Sequence, residues 1–92
     1  MQEGSKDKIK RLNSAFGKIV EKYRKAQNKT AYKISAECAL SKTSWREVEL
    51  GKKDFRFSTL WRIAEGLDIP LENLINEVSL ELGDGFSLSD LK

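Results

Sequence analysis

The amino-acid sequence predicts an all-α domain of five helices followed by a short C-terminal tail. Apolar residues recur at spacings of three and four along most of the 92 residues, which is the periodicity of one helix face. Residues that commonly start or end helices separate these apolar segments, and the chain holds a single proline, Pro70. No segment before the tail alternates apolar and polar residues as a half-buried strand does. We therefore expect helices around one modest core, which is all that a chain of this length can enclose.

The first two helices are predicted from their apolar faces and end signals. Residues 1–8 are expected to form a flexible arm. A first helix is predicted over about residues 8–25, with one apolar face formed by Ile9, Leu12, Phe16, Ile19, Val20 and Tyr23. In the loop over 26–29, Asn28 can adopt the left-handed conformation that ends helices. Thr30 suits the N-cap of a short second helix over 31–37, with Ile34 facing inward.

The third helix follows a tight turn at residues 38–40. Ser41 is a good N-cap residue, and the helix is predicted to run through Leu50. Trp45 and Val48 lie three residues apart, so they share the face that we expect to be buried. Gly51 is the expected C-terminal stop. The basic loop KKDFRF, residues 52–57, comes next.

Two more helices complete the predicted domain. Ser58 is predicted to cap the fourth helix, whose core positions are Leu60, Ile63, Ala64 and Leu67. Pro70 suits the first turn of the fifth helix, whose inner face is predicted to be Leu71, Leu74, Ile75 and Val78. Gly83, Asp84 and Gly85 then form a flexible break. The predicted organisation is an arm over 1–8, a helical domain over 9–78 and a tail over 79–92.

Charge is distributed unevenly along the chain. The net charge is +3, but residues 1–59 hold 15 Lys and Arg against 7 Asp and Glu, whereas residues 60–92 hold 2 against 7. Such a split suggests one surface for a polyanion and another surface for a different purpose. The alternative is a solvated surface on which the charges are simply uneven.

The composition argues against an enzyme. The chain contains no histidine, the commonest proton shuttle. Cys38 is the single cysteine and is expected to be an inert buried thiol. The acidic residues lack the spacing of a paired-carboxylate or metal site, and no phosphate-binding glycine loop or zinc pattern is present. No cofactor or metal is therefore predicted. The chain has no run of 18 apolar residues and no secretion signal, so a cytoplasmic location is expected.

Two short helices joined by a three-residue turn form a wedge that fits DNA. The first can lie across the phosphate backbone while the second projects its N-terminal side chains into the major groove. Lys42 can donate to guanine O6 or N7, Thr43 can give a hydroxyl or methyl contact, and Glu47 can accept from a cytosine amine. The alternative is that the polar run over 41–44 merely caps an exposed helix. Capping explains Ser41, but it does not explain the basic loop that follows.

The motif residues also resemble a known family. The segments FGKIVEKYR, KTAYKISAECALSKTSWREVELGK and STLWRIAEGLDIPLENLI resemble the Cro/CI-type (XRE-like) helix-turn-helix family of bacterial and phage regulators. ELGK is similar to the family's Glu-Arg-Gly-Lys signature, and RIAEGL is similar to its Lys-Ile-Ala-x-x-Leu. The resemblance runs from Phe16 to about Ile75. It implies a sequence-specific regulator of transcription, expected to be a repressor, that binds double-stranded DNA with residues 41–50 in the major groove.

The resemblance implies a role for each residue at a matching position. Lys42, Thr43 and Glu47 match base-reading positions, while Ser44 and Arg46 match positions that meet phosphate or a neighbouring base. Thr30 begins the helix whose backbone N–H groups suit a phosphate. The loop that usually follows the DNA backbone holds Lys52, Lys53 and Arg56. Arg24 and Glu49 match a pair that ties the first helix to the end of the recognition helix, and we expect that pair to be structural.

Several positions depart from the family pattern. Ala39 stands where the turn usually has glycine, so a left-handed backbone there would cost on the order of 1 kcal/mol. Ala31 replaces a glutamine that contacts phosphate, a role that Tyr32 or Lys33 can take over. Ser35 replaces the usual alanine between the two helices and is small enough to fit. Two tryptophans are also unusual: we assign Trp45 to the core and Trp61 to a subunit contact.

The C-terminal third offers an alternative function. It is acidic and has more apolar residues than one core of this size needs: Leu71, Leu74, Ile75, Val78, Leu80, Leu82, Phe86, Leu88 and Leu91. Residues 71–92 therefore suit either a homodimer or a protein partner, as in an adaptor or antitoxin-like module. We favour the homodimer, because a two-fold dimer places two recognition helices about one DNA turn apart, roughly 34 Å.

Overall fold

The computed structural model of the protein describes residues 5–89 and contains five helices, with no strand in that part of the chain. The helices are α1 (Ser5–Ala26), α2 (Ala31–Glu37), α3 (Lys42–Leu50), α4 (Phe57–Leu67) and α5 (Leu71–Leu82). The predicted all-α, five-helix helix-turn-helix fold is therefore confirmed. None of the described helices is both long and apolar enough to cross a membrane. The expectations for residues 1–4 and 90–92 lie outside the described residues.

The start of α1 differs from the prediction. The helix begins at Ser5, so residues 5–8 belong to it and not to a flexible arm. Asp7 lies in the first turn, where a negative charge interacts favourably with the helix dipole. Lysine is a good helix former, and the neighbouring positions 6, 8 and 10 are all lysine. Nothing in this segment stops the helix before its apolar face begins.

The N-termini of α4 and α5 also need correction. Helix α4 starts at Phe57 after an extended Arg56 that makes no side-chain cap, so Ser58 lies inside the first turn and is not the cap. The rings of Phe57 and Trp61 meet edge to face with their centroids 5.9 Å apart, and this contact between residues four apart stabilises the earlier start. Pro70 precedes α5 as its N-cap residue, one position before the first turn to which it was assigned.

The core lies where α1 packs against α3 and α5 while α2 and α4 close the remaining sides. Its largest fully buried side chains are Trp45, Ile34, Ile63, Leu67, Leu74, Val20, Val48 and Cys38. The prediction that Trp45 belongs to the core is confirmed. The prediction for Ile75 is wrong, because this side chain is 45% exposed. The neighbouring positions Leu74 and Val78 are buried, so the buried face of α5 is narrower than the apolar pattern suggests.

Two glycines allow the helices to approach closely. A Cβ added at Gly17 would lie 2.5 Å from the carbonyl oxygens of Val48 and Glu49, where α1 crosses the end of α3. A Cβ added at Gly66 would collide with the Cys38 sulfur, where α4 passes α2. Side chains at these positions would push the helix-turn-helix away from its supports.

The acidic α5 lies against the basic α1. Lys18 Nζ lies 3.1 Å from Glu81 Oε2, and Lys22 Nζ lies 2.6 Å from Glu77 Oε1. The hydroxyl of Tyr23 also donates to the Glu77 carboxylate. Part of the charge asymmetry in the sequence is thus balanced inside the fold, since lysines of α1 are paired with glutamates of the acidic third.

The described part of the tail folds back onto α1. The Arg11 guanidinium lies 5.2 Å from the centroid of the Phe86 ring, which is within the range of a cation–π contact. Lys8 Nζ donates to the backbone carbonyl of Ser89 at 3.3 Å. Residues 83–89 therefore cover part of the N-terminal half of α1.

Candidate nucleic-acid interface

Helices α2 and α3 form a helix-turn-helix whose first helix has capped ends. The Lys33 N–H donates to Thr30 Oγ1 at 3.1 Å, which makes Thr30 the predicted N-cap. At the other end, the Leu40 N–H donates to the Ser35 carbonyl at 2.8 Å and closes the turn. Ala39 adopts φ 57°, the left-handed conformation that glycine adopts most readily. The turn is therefore tight in spite of its alanine.

Small buried groups fill the contact between α2 and the rest of the domain. Ser35 is buried, and its hydroxyl donates to the Tyr32 carbonyl at 2.8 Å, so its polar group is satisfied where an alanine is usual. The Cys38 thiol lies 3.8 Å from the Ile63 carbonyl. Burial raises the pKa of this thiol to about 11. It therefore stays protonated at neutral pH, as expected for an inert structural cysteine.

Helix α3 begins with a side-chain cap. The Ser44 N–H donates to Ser41 Oγ at 3.0 Å, and the Ser41 hydroxyl donates to Ser44 Oγ at 2.9 Å. Capping therefore accounts for Ser41, as the sequence analysis proposed. It also engages Ser44, whose side chain is half-buried. Of the polar residues over 41–44, Lys42 and Thr43 remain free of this arrangement.

The exposed side of α3 gathers four of the predicted site residues. Lys42 and Arg46 are four residues apart along the helix, and so are Thr43 and Glu47, so the two pairs lie in neighbouring rows on one side. Lys42, Thr43 and Arg46 are exposed, and their side chains make no hydrogen bond or ion pair within residues 5–89. The opposite side carries Trp45 and is held in the core. Polar, exposed and rigidly supported side chains are what a base-reading helix needs.

The loop after α3 holds three exposed basic residues, and one of them contacts α3. Lys52, Lys53 and Arg56 are all exposed, whereas Phe55 between them packs against the core and anchors the loop. Lys53 Nζ lies 3.1 Å from Glu47 Oε1, so two of the predicted site residues form an ion pair. Thr30 belongs to a different element, since it precedes α2, and its hydroxyl oxygen accepts the capping hydrogen bond there.

The predicted Arg24–Glu49 pair is present and joins α1 to α3. Arg24 Nε lies 2.6 Å from Glu49 Oε2, and Arg24 Nη2 lies 3.2 Å from Glu49 Oε1. Hydrogen bonding to Glu49 raises the pKa of Arg24 although burial opposes it. Trp45 Nε1 also donates to Glu49 Oε2, at 2.6 Å. That third contact was not predicted, although the spacing of four residues between Trp45 and Glu49 allows it.

An apolar surface lies between α4 and α5. We name it the α4–α5 patch, and its members are Phe57, Trp61, Leu71 and Ile75, which line one shallow groove. Trp61 is 53% exposed and Phe57 is 67% exposed. Trp61 was assigned to a subunit contact from the sequence, but Phe57 was missed because it was placed in the basic loop.

Comparison with known proteins identifies a fold relative. No protein-family model and no curated protein sequence matches the chain. The crystal structure of the clp gene regulator ClgR from C. glutamicum superposes with a TM-score of 0.73 and covers 78% of this chain and 94% of its own. The two chains share one fold. Only 18% of their aligned residues are identical, so the likeness concerns the backbone and no side-chain role is transferred from it.

Proposed function

We propose that this protein is a helix-turn-helix regulator of transcription that binds double-stranded DNA with α3 in the major groove. The observation that carries the proposal is the two-sided character of α3. One side is locked into the core through Trp45 and Val48, while the other side presents Lys42, Thr43 and Arg46 to solvent. A rigid helix with unengaged polar side chains is suited to reading base edges. The shared fold with a structure named as a gene regulator supports this proposal.

The contacts with DNA divide into two kinds. Lys42, Thr43 and Glu47 are proposed to read bases, and Ser44 and Arg46 are proposed to meet phosphate or a neighbouring base. The sequence-independent grip comes from the start of α2 and from the loop after α3, where the contact residues are Thr30, Lys52, Lys53 and Arg56. Because phosphate contacts release counterions, this grip weakens as salt rises. Repression would follow from occupancy of the operator, which blocks polymerase, and such a regulator works in the cytoplasm without a cofactor.

The proposed active form is a homodimer. The α4–α5 patch supplies apolar side chains that have no cover within residues 5–89, including the 53% exposed Trp61. Aromatic side chains are enriched at the centre of protein interfaces. A two-fold axis through this patch would make it self-complementary and present two copies of α3 to a symmetric site, about 34 Å apart.

A second candidate function is binding of a protein partner, as an adaptor or an antitoxin-like module does. Leu80 is 74% exposed and Leu88 is 45% exposed, and neither lines the groove of the α4–α5 patch. If partner binding through these two leucines is the function, truncation after Gly83 combined with Leu80→Glu should abolish it while DNA affinity stays weak. Truncation at this point leaves α5 and its ion pairs with α1 in place.

Selection of binding sites from a random duplex library at about 150 mM salt tests the proposal. Enrichment of a two-fold symmetric sequence would support specific reading by a dimer, and the half-site spacing would test the 34 Å geometry. A lack of any consensus, with retention that disappears as salt rises, would contradict specific reading. The partner-binding function would then be the better proposal.

A further inference from the structure

The Glu47–Lys53 ion pair joins a proposed base-reading residue to a proposed phosphate contact. Glu47 Oε1 lies 3.1 Å from Lys53 Nζ, and the two side chains are 28% and 58% exposed. Within residues 5–89, neither Lys52 nor Arg56, the other basic residues of the loop, has an ion pair or hydrogen bond through its side chain. Lys53 is therefore distinguished from its neighbours by its contact with the recognition helix.

The backbone at the end of α3 produces this contact. Gly51 adopts φ 68°, and its N–H donates to the Val48 carbonyl at 3.1 Å. The Lys52 N–H donates to the Glu47 carbonyl at 3.0 Å. Together these two bonds form a Schellman motif, which reverses the chain at the helix end. The reversal brings Lys53 back alongside Glu47, so the pair follows from the way the helix ends.

A carboxylate on a DNA-facing helix has an electrostatic problem that this pair addresses. Phosphate charges repel an unpaired Glu47, and a long side chain can turn away from the base it should contact. An ammonium group at 3.1 Å offsets the negative charge and restricts the carboxylate to one position. Because an ammonium has three donors, Lys53 keeps two for phosphate or water while it holds Glu47.

The geometry points to Lys53 as a positioning residue for sequence reading. Its ammonium holds the Glu47 carboxylate toward the base edge, so the base preference at that position requires both side chains. This inference rests on the proposed DNA-binding function. It assigns Lys53 a role that Lys52 and Arg56 do not share, since those two contact phosphate whatever the sequence.

Four variants separate this role from a simple phosphate contact. Glu47→Gln removes the charge and identifies the base pair that Glu47 reads, because glutamine favours adenine. Lys53→Met keeps the length of the stem and removes the ammonium. Lys52→Met is the matched control on the adjacent residue, and Lys53→Arg restores a cation. An ion pair this exposed contributes little to folding stability, so helix content and melting temperature should stay unchanged.

Each variant is put through the same library selection. Its affinity is then measured for two duplexes, the consensus and a second duplex that differs only at the base pair that Glu47 reads. Lys53→Met should lose roughly fivefold or more of its discrimination at that base pair and keep the rest of the consensus. Lys52→Met should weaken both duplexes equally, and Lys53→Arg should restore discrimination. Addition of Lys53→Met to Glu47→Gln should cause no further loss of discrimination.

Two other results would overturn the inference. If Lys53→Met weakens both duplexes equally, as Lys52→Met does, Lys53 is a phosphate contact whose pair with Glu47 breaks on binding. If the wild-type protein selects no consensus, the proposed function fails and the inference fails with it. If the wild-type protein selects a consensus but Lys53→Met weakens both duplexes equally, the proposed DNA-binding function stands. Only the positioning role of Lys53 is then ruled out.

Discussion

The indole N–H of Trp45 donates to the same carboxylate oxygen of Glu49 that accepts from Arg24 Nε, both at 2.6 Å. The buried side of α3 is thus tied to α1 through one acceptor. The side chains of Arg24 and Glu49 are only 15% and 11% exposed, so little solvent is available to replace either partner. This network decides how α3 is presented, although none of its members faces the proposed DNA surface.

Removal of the shared acceptor should destabilise the fold. Glu49→Ala leaves the Arg24 guanidinium and the Trp45 indole without this partner, so the free energy of unfolding should fall by about 2–3 kcal/mol. Urea denaturation followed by tryptophan fluorescence would measure it. Glu21→Ala is the control, because Glu21 pairs with Lys25 at an exposed site of α1 and should contribute less than about 0.5 kcal/mol. Equal denaturation midpoints for the two variants would show that the network does not stabilise the domain.

Glycine in the turn of the helix-turn-helix should stabilise the protein. Ala39 has φ 57°, so Ala39→Gly should stabilise the protein by about 0.5–1 kcal/mol through relief of strain. Ala36→Gly, three residues earlier on the exposed side of α2, should destabilise it by a similar amount because glycine is a poor helix former. Thermal melts of the two variants should therefore shift in opposite directions. Shifts in the same direction would mean that the left-handed turn is not strained.

The Cys38 thiol makes stability depend on pH in the alkaline range. Its pKa is raised from 9.0 to about 11 by burial, so the folded state holds this proton more tightly than the unfolded state does. The contribution is complete below pH 9 and is lost as the pH rises toward 11. At 1.36 kcal/mol per pKa unit, wild type should lose roughly 2–3 kcal/mol more than Cys38→Ala between these limits.

Denaturation curves of both proteins from pH 8 to 11 would measure this difference. Comparison with the variant isolates the contribution of the thiol from that of all other groups. Parallel pH profiles for wild type and Cys38→Ala would contradict a buried, protonated thiol. Thiol labelling at pH 8 gives a second check, because the native protein should react far more slowly than the urea-unfolded chain.

Two lysines should affect DNA binding in different ways. Lys42→Ala should relax preference at one base pair, at a cost of about 1–3 kcal/mol on the consensus. Lys52→Ala should weaken binding to every duplex and reduce the slope of log K against log salt by about 0.9. Affinities over a salt series would separate the two effects. Lys25→Ala, at the exposed end of α1, is the control and should change neither the base preference nor the salt slope. If Lys42→Ala weakens binding to every duplex equally, Lys42 is a phosphate contact.

A charge in the α4–α5 patch should disrupt the proposed homodimer. Trp61→Glu places a carboxylate at the centre of the patch, so sedimentation velocity should show monomers and affinity for a two-fold site should fall at least tenfold. Leu80→Glu is the matched control, since Leu80 is even more exposed but does not line the patch. If Leu80→Glu dissociates the dimer and Trp61→Glu does not, the interface lies at the end of α5 and not at the α4–α5 patch. If the wild-type protein is monomeric at all concentrations, the proposed homodimer is wrong.

Several parts of the structure could be predicted because their cause lies within a few residues. Thr30, Ser41 and Gly51 act through hydrogen bonds or backbone preferences inside one turn, and all three are found in the predicted roles. The burial of Trp45 and Val48 follows from helical periodicity alone. The Arg24–Glu49 pair was found by resemblance to a family, since nothing local connects residues 25 positions apart.

Other parts could not be predicted from sequence spacing. The exposure of Ile75 depends on which neighbours α5 has. The pairing of Lys18 and Lys22 with α5 required the first and last helices to meet. The sequence shows that an apolar side chain favours burial and that a charged side chain favours an opposite charge. Which residue each side chain contacts is decided only when the helices pack together.

The sequence by itself determined five helices, the bounds of the helix-turn-helix and the set of polar residues on its second helix, because caps, stops and periodicity act over one or two turns. Only the tertiary structure decided that Glu47 is held by Lys53 and that Glu49 is shared by Arg24 and Trp45. It also decided that Phe57 and Trp61 lie together on an uncovered surface. These relationships depend on the directions in which side chains point after packing, and short-range propensities do not contain those directions.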